Sequence, residues 1–302
     1  IGRTPLAANP LNQTRTGRLN PFAFPANTDI RFVLLVAAVL CASLFMYDFL
    51  YGSIPANGAA AKITTTSCIA AALSEHSQDL SALLSVHAQC VAPQERREAA
   101  WDLLGVLLLL SVAGSIYWAW PLAKIWRRGF KPFTAENEVK ARMLAFLSTL
   151  CQEVSLARTP VFLTDVHSSS IVTFGRRGRY YITIPSPSVM QFQRDFPVFR
   201  AIMLHEFSHI RNADIDKTYF ALAIGQAFAL VALVPWAIAQ FFAFGGFDRL
   251  FFTEAGIALG LTAIVYVTLQ ALLRAREIYA DVRASMWDGP KGALTRSLAS
   301  LH

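Results

Sequence analysis

Charge is scarce in this sequence. Only 16% of its 302 residues are Asp, Glu, Lys or Arg, 54% are hydrophobic, and the mean hydropathy is +0.41. Soluble domains carry about 25% charged residues, so the composition argues against an ordinary soluble domain and for a membrane protein. Cysteine is scarce too: four residues are too few for a disulfide scaffold, and their spacing fits no paired-cysteine metal pattern. Cys41, inside an apolar run, and Cys151, in an expected helix, read as packing residues. Cys68 and Cys90 share the one long segment between the first two apolar runs and can pair if that segment faces an oxidising compartment. The net charge is +7, yet no recognition helix or aromatic-basic platform gathers it, so no nucleic-acid partner is expected. A start at Ile1 without Met, and an end at His302 without a terminating feature, fit a piece of a longer chain.

What is present is a set of long apolar runs. Residues 1–31, with Pro5, Pro10, Pro21 and Pro25, read as a polar arm that cannot stay helical. Residues 32–51 form a first apolar run long enough to cross a bilayer, too far from the start for an ordinary signal peptide. Residues 103–123 form a second, ending in Trp118, Trp120 and Trp126 interleaved with Lys124, Arg127, Arg128 and Lys131, an aromatic belt followed by a basic cluster. The third spans 219–247, with Pro235 as an expected kink, and the fourth 255–273. Arg15, Arg18, Arg31, the cluster after Trp120, Arg211, Lys217, Arg274 and Arg276 all fall on one side, which the charge rule makes cytoplasmic. The expectation is a polytopic α-helical membrane protein with four transmembrane helices. Both termini are inside, segment 52–101 lies outside the cytoplasm, and cytoplasmic regions cover 124–217 and 274–302.

Within 124–217, Val139, Met143, Phe146, Leu147, Leu150 and Val154 follow helical spacing over roughly 136–156. Ile171 to Phe174 and Tyr180 to Ile184 flank a glycine-bounded turn and predict a hairpin. Asp195-Phe196-Pro197 then predicts a helix start, and that helix should run to about Asn212.

This helix carries His205-Glu206-Phe207-Ser208-His209. Two histidines four residues apart stand one turn apart on one face, so both rings can reach one ion, and Glu206 can reach a water beside it. Catalytic zinc takes three protein ligands and keeps a position open, so a third ligand is needed. Arg274-Ala275-Arg276-Glu277-Ile278-Tyr279-Ala280-Asp281 follows the fourth run on the same expected side, and Glu277 is the natural candidate. Asp281, one turn further, and Asp214, five residues after His209, are candidates to orient the ligand imidazoles through their free N–H groups.

With its two motif blocks separated by a membrane hairpin, the chain resembles the HtpX-type and CAAX-prenyl-peptidase-type integral-membrane zinc metallopeptidases (gluzincins) from about Leu103 onward. The resemblance implies a zincin-like α+β catalytic region, one Zn2+ per chain held by His205, His209 and Glu277, and Glu206 as general base. The implied activity is endoproteolysis of membrane or membrane-proximal proteins, for quality control or regulated processing. The implied location is a multi-pass protein of the bacterial inner membrane, in contact with lipid and with its protein substrates, alone or with partner subunits or as a homo-oligomer. Two departures stand out: the outer segment is longer than in HtpX, and the resemblance implies a continuation past the alanine-aspartate block, supplying His, Asn or Arg beside the reacting carbonyl, that a sequence ending at His302 is expected to lack, with Arg296 only a weak substitute. A BlaR-type signalling receptor with a cytoplasmic zinc protease and a catalytically silent zinc-binding membrane scaffold are the rival readings.

Other features carry less. Tyr180 to Ile184 can offer an edge to an extended peptide or sit in an ordinary core hairpin. Arg176, Arg177 and Arg179 can meet lipid headgroups but read better as a solvated turn. His76, His87 and His167 are isolated, Ser168 to Ser170 form no nucleophile elbow, and Asp48 is a helix-end polar residue.

Overall fold

The computed structural model describes residues 25–53, 66–70, 87–176, 178–243, 249–289 and 293. Most of the N-terminal arm, His76, Arg177 and Arg296 therefore lie outside the described residues.

Helix α1 spans Pro25–Ser53. A π turn, His87–Val91, leads into α2, Ala92–Arg128. Cys68 and Cys90 are joined by a disulfide, which anchors this entry to α2. Among the described residues four helices are long and apolar enough to cross a membrane: Thr28–Gly52, Ala92–Arg128, Asp214–Phe242 and Phe252–Asp288. Even the shortest, 25 residues, rises about 37 Å at 1.5 Å per residue, more than a hydrocarbon core of about 30 Å. The third begins as α6, Asp214–Phe228, passes through a π turn at Ala229–Leu233, and continues as α7, Val234–Ala243. Pro235 has no N–H and its ring crowds the carbonyl four residues back, at Val231; the wider turn sits where that crowding falls. The fourth belongs to α8, Arg249–Asp288, one unbroken helix that carries both the last apolar run and Glu277.

The bundle packs through small residues. Ala42, Ala113, Ala221, Ala227, Ala232 and Ala258 are buried with Leu35, Val39, Met46, Leu109, Ile224 and Leu272. Without a hydrophobic force between helices in lipid, close backbone approach supplies the contact. Gly105 of α2 is the tightest such point: a Cβ built there would stand 2.5 Å from two carbons of the buried Tyr47 ring on α1.

Between α2 and α6 lies a helix-and-sheet region. Strand β1 is Lys131–Pro132, α3 is Glu138–Glu153, β2 is Val161–Asp165, β3 is Val172–Arg176, β4 is Arg179–Pro185, α4 is Ser186–Arg194 and α5 is Phe196–Asn212. The sheet order is β1-β2-β4-β3, with β2 and β4 parallel and the β3–β4 hairpin antiparallel. Tyr180 to Ile184, which spacing left open as an edge or a core strand, is thus interior. Its parallel pairing with β2 on one side and its hairpin partner on the other occupy both its ladders, and the free edge falls to β3.

Helix α5 starts where Asp195 accepts a hydrogen bond from the Val198 N–H, 3.2 Å, with Pro197 in the first turn. Its inner face, Phe199, Met203, Leu204 and Phe207, is fully buried against Met143, Leu147 and Leu150 of α3 and Ile182 and Ile184 of β4. Burying each of these side chains stabilises by about 1.5–3 kcal/mol. That packing fixes the rotation of α5, and so the direction in which His205 and His209 face.

Gly105→Ala should force Tyr47 out of its seat and cost about 1–3 kcal/mol, whereas Gly114→Ala, with nothing within 4 Å of the added Cβ, should be neutral. Thermal unfolding in detergent separates the two; equal midpoints would contradict the close packing of α1 on α2.

Candidate metal centre

The face of α5 that turns from the core meets the last turns of α8. The Nε2 atoms of His205 and His209 are 3.2 Å apart. Glu277 Oε2 lies 3.4 Å from the first and 3.8 Å from the second. These three groups stand as a set able to hold a metal ion. Zinc binds His nitrogen and carboxylate oxygen at about 2.0–2.2 Å, which in tetrahedral geometry places ligand atoms about 3.3–3.5 Å apart. The observed triangle has that size, so the residues fit zinc.

The other nitrogen of each ring also has an acidic neighbour. Asp281 Oδ1 is 2.8 Å from His205 Nδ1, and Asp214 Oδ2 is 3.2 Å from His209 Nδ1. A carboxylate on Nδ1 leaves Nε2 free as the ligand atom and increases its basicity. Asp281 stands one helical turn after Glu277 on α8, so one helix supplies both a carboxylate to the ion and one to the imidazole. Asp214 is buried at the start of α6 because Ala213 takes a left-handed conformation, φ 53°, which turns the chain sharply after α5.

Three contacts were not legible in the sequence. Arg276 Nε sits 3.3 Å from Asp214 Oδ1 and 3.2 Å from His209 Nδ1, so it neutralises the buried Asp214 beside the ring. Glu206 Oε2 accepts hydrogen bonds from the Thr173 N–H, 2.9 Å, and the Thr173 hydroxyl, 2.5 Å, on edge strand β3. Asp216, two residues after Asp214, accepts from Tyr117 of α2 at 2.8 Å and Tyr180 of β4 at 3.1 Å, joining a membrane helix to the sheet beside the site. Nothing in the local pattern marks Thr173; it sits on an alternating strand, and only the tertiary fold lays that strand along α5. His167 stays apart: its N–H turns back to Asp165 at 2.9 Å, while Ser168 and Ser170 bond each other.

Burial disfavours the charge on His205, but the Asp281 and Glu277 carboxylates on its ring outweigh that and push its pKa up to about 10.

The profile of peptidase family M48 matches residues 189–302, from within α4 to the end of the sequence. Residues 189–302 carry an M48 peptidase domain. Both α5 and the Glu277 end of α8 fall within it. HtpX protease homologs of Burkholderia mallei (strain SAVP1) and Burkholderia pseudomallei (strain K96243) are each 24% identical to the chain over 202 residues, covering 65% of this chain and 68% of theirs. With four helices among the described residues able to span a bilayer, the chain is similar to the HtpX membrane proteases, and the segment that matches family M48 holds the His-His-Glu group.

Zinc held by these groups must displace the proton on His205, because a ligating imidazole is neutral. With the metal-free pKa near 10, apparent zinc affinity should rise with pH between 6 and 8, by about tenfold per unit for one released proton. Chelator competition across that range checks the slope. Asp281→Asn should weaken zinc about 10–100-fold at pH 7; an affinity independent of both pH and Asp281 would contradict this assignment.

Proposed function

We propose that the chain is a zinc-dependent endopeptidase that cuts membrane or membrane-proximal proteins, with His205, His209 and Glu277 as zinc ligands and Glu206 as general base. The observation that carries this is the triangle of Nε2, Nε2 and Oε2, 3.2 to 3.8 Å on a side, with Glu206 on the same helix turn. Zinc bound there supplies Lewis acidity that lets water attack a carbonyl at neutral pH.

The residues of this chain do the rest. Thr173 holds Glu206 Oε2 with two donors, which fixes the carboxylate and leaves Oε1 to take a proton from the attacking water and return it to the leaving amine. Asp281 and Asp214 hold the imidazoles in register, and Arg276 balances the buried Asp214 charge. The free edge of β3 runs directly beside Glu206, and an extended substrate segment added there as a further strand would lie along the site.

The charge bias of the segments flanking the spans supports a site on the cytoplasmic face of a multi-pass inner-membrane protein, and a Cys68–Cys90 disulfide fits the oxidising side. This supports the division already described: cytoplasmic arm, four spans, an outer segment at 52–101, and cytoplasmic regions at 124–217 and 274–302.

Full-length protein reconstituted with a membrane substrate tests the reading. Glu206→Gln should lower cleavage at least about 100-fold while leaving one zinc per chain, whereas Glu277→Ala should lower zinc occupancy itself. Undiminished cleavage by Glu206→Gln contradicts the general-base role; full zinc in Glu277→Ala contradicts the ligand set.

A further inference from the structure

The last turns of α2 and the first turns of α6 line a half-open cavity of about 410 Å³, within the range of about 300–1,000 Å³ typical of small-molecule sites. Trp120, Lys124, Arg127 and Arg128 line it from α2, and Tyr219 and Leu222 from α6. We propose that this cavity binds the phosphate of an anionic phospholipid headgroup at the edge of the bilayer. The proposal rests on the membrane nature of the chain and not on its proteolytic chemistry.

Position argues first. Helix α2 exposes Leu103, Leu104, Leu107, Leu108, Leu110, Trp118, Trp120 and Leu122, then turns basic at Lys124, Arg127 and Arg128. The cavity opens at this changeover, with an exposed Trp120 at its rim. There the hydrocarbon ends and headgroups begin.

Charge argues second. Of the three cations, Arg128 alone has a carboxylate within ion-pair reach among the described residues, the buried Asp165 at 3.6 Å. Lys124 lies over the Phe174 ring, 4.4 Å from its centroid, and Arg127 is exposed. Phosphate chemistry matches such a set: a compact anion with several acceptor oxygens, met by an ammonium and a guanidinium on successive helix turns. Tyr219 and Leu222 supply a hydroxyl and an apolar wall for the glycerol and first methylenes. The neighbouring chain reinforces the field: Arg176 of β3 stacks on Trp118 at 3.9 Å, one turn nearer the membrane.

Lys124 also touches the strand that holds Glu206, since Phe174 follows Thr173. A headgroup in the cavity would therefore sit beside the residue that follows Thr173, the residue that holds Glu206.

Native mass spectrometry of the zinc-loaded full chain in detergent, titrated with phosphatidylglycerol or phosphatidylcholine, tests the proposal. Wild type should retain phosphatidylglycerol selectively. Lys124→Gln with Arg127→Gln should weaken it about 25-fold, roughly fivefold per cation, while Arg142→Gln with Arg194→Gln, an equal loss of charge elsewhere, should not. Lys124→Arg with Arg127→Lys should keep selectivity, which guards against a misfolded double variant. Inorganic phosphate at millimolar concentration should leave the lipid bound. Equal retention of the two lipids, unchanged binding by the Lys124→Gln and Arg127→Gln variant, or displacement by inorganic phosphate would each overturn the assignment.

Discussion

The packing of α5 against the end of α8 is the contact on which the site depends. His205 and His209 stand on one helix and Glu277 on another 68 positions later, yet their ligand atoms close to 3.2–3.8 Å. His209 is buried and His205 largely so, while Glu277 stands half-exposed at the rim of the triangle. Asp281 and Asp214 add two more carboxylates, and Arg276 stands beside Asp214 to offset one of them. A bound cation would offset these carboxylates, as the proposed metal centre requires.

Everything else in the fold serves to fix that contact. The buried face of α5 sets its rotation through Phe199, Met203 and Phe207. Arg200 reaches Glu153 of α3 at 2.7 Å and Asp288 of α8 at 2.8 Å, clamping the far end of the ligand helix to α5. Helix α8 itself is continuous through the membrane run, so the position of Glu277 is inherited from how α8 packs in the bundle. Asp216, gripped by Tyr117 and Tyr180, ties the same corner to α2 and to the sheet. The site therefore stands at the junction of the bundle and the helix-and-sheet region.

Much of this was legible from residue spacing. Apolar runs of bilayer length announced the helices, the two histidines at a spacing of four announced a shared face, and the β-rich segments around Gly175 and Gly178 announced the hairpin. What the pattern could not carry was long-range order. Sheet order is decided by a parallel pairing between β2 and β4, which leaves no local mark, so spacing left open whether β4 offers an edge; β4 is interior and β3 stands at the edge. Thr173 and Arg276 gained their roles only from what the fold laid beside them. The continuity of α8 was hidden for a different reason: hydropathy falls after Leu273, but helix propensity does not, and the helix runs on to Asp288.

The zinc coordination shell tests the central claim most directly. X-ray absorption at the zinc edge of the purified, zinc-loaded chain should show two imidazoles and one carboxylate at about 2.0–2.2 Å. In Glu277→Ala the two imidazoles should remain among whatever zinc is retained, with the carboxylate gone. Sulfur at about 2.3 Å, a shell with fewer than two imidazoles, or a shell unchanged by Glu277→Ala would contradict a centre built from His205, His209 and Glu277.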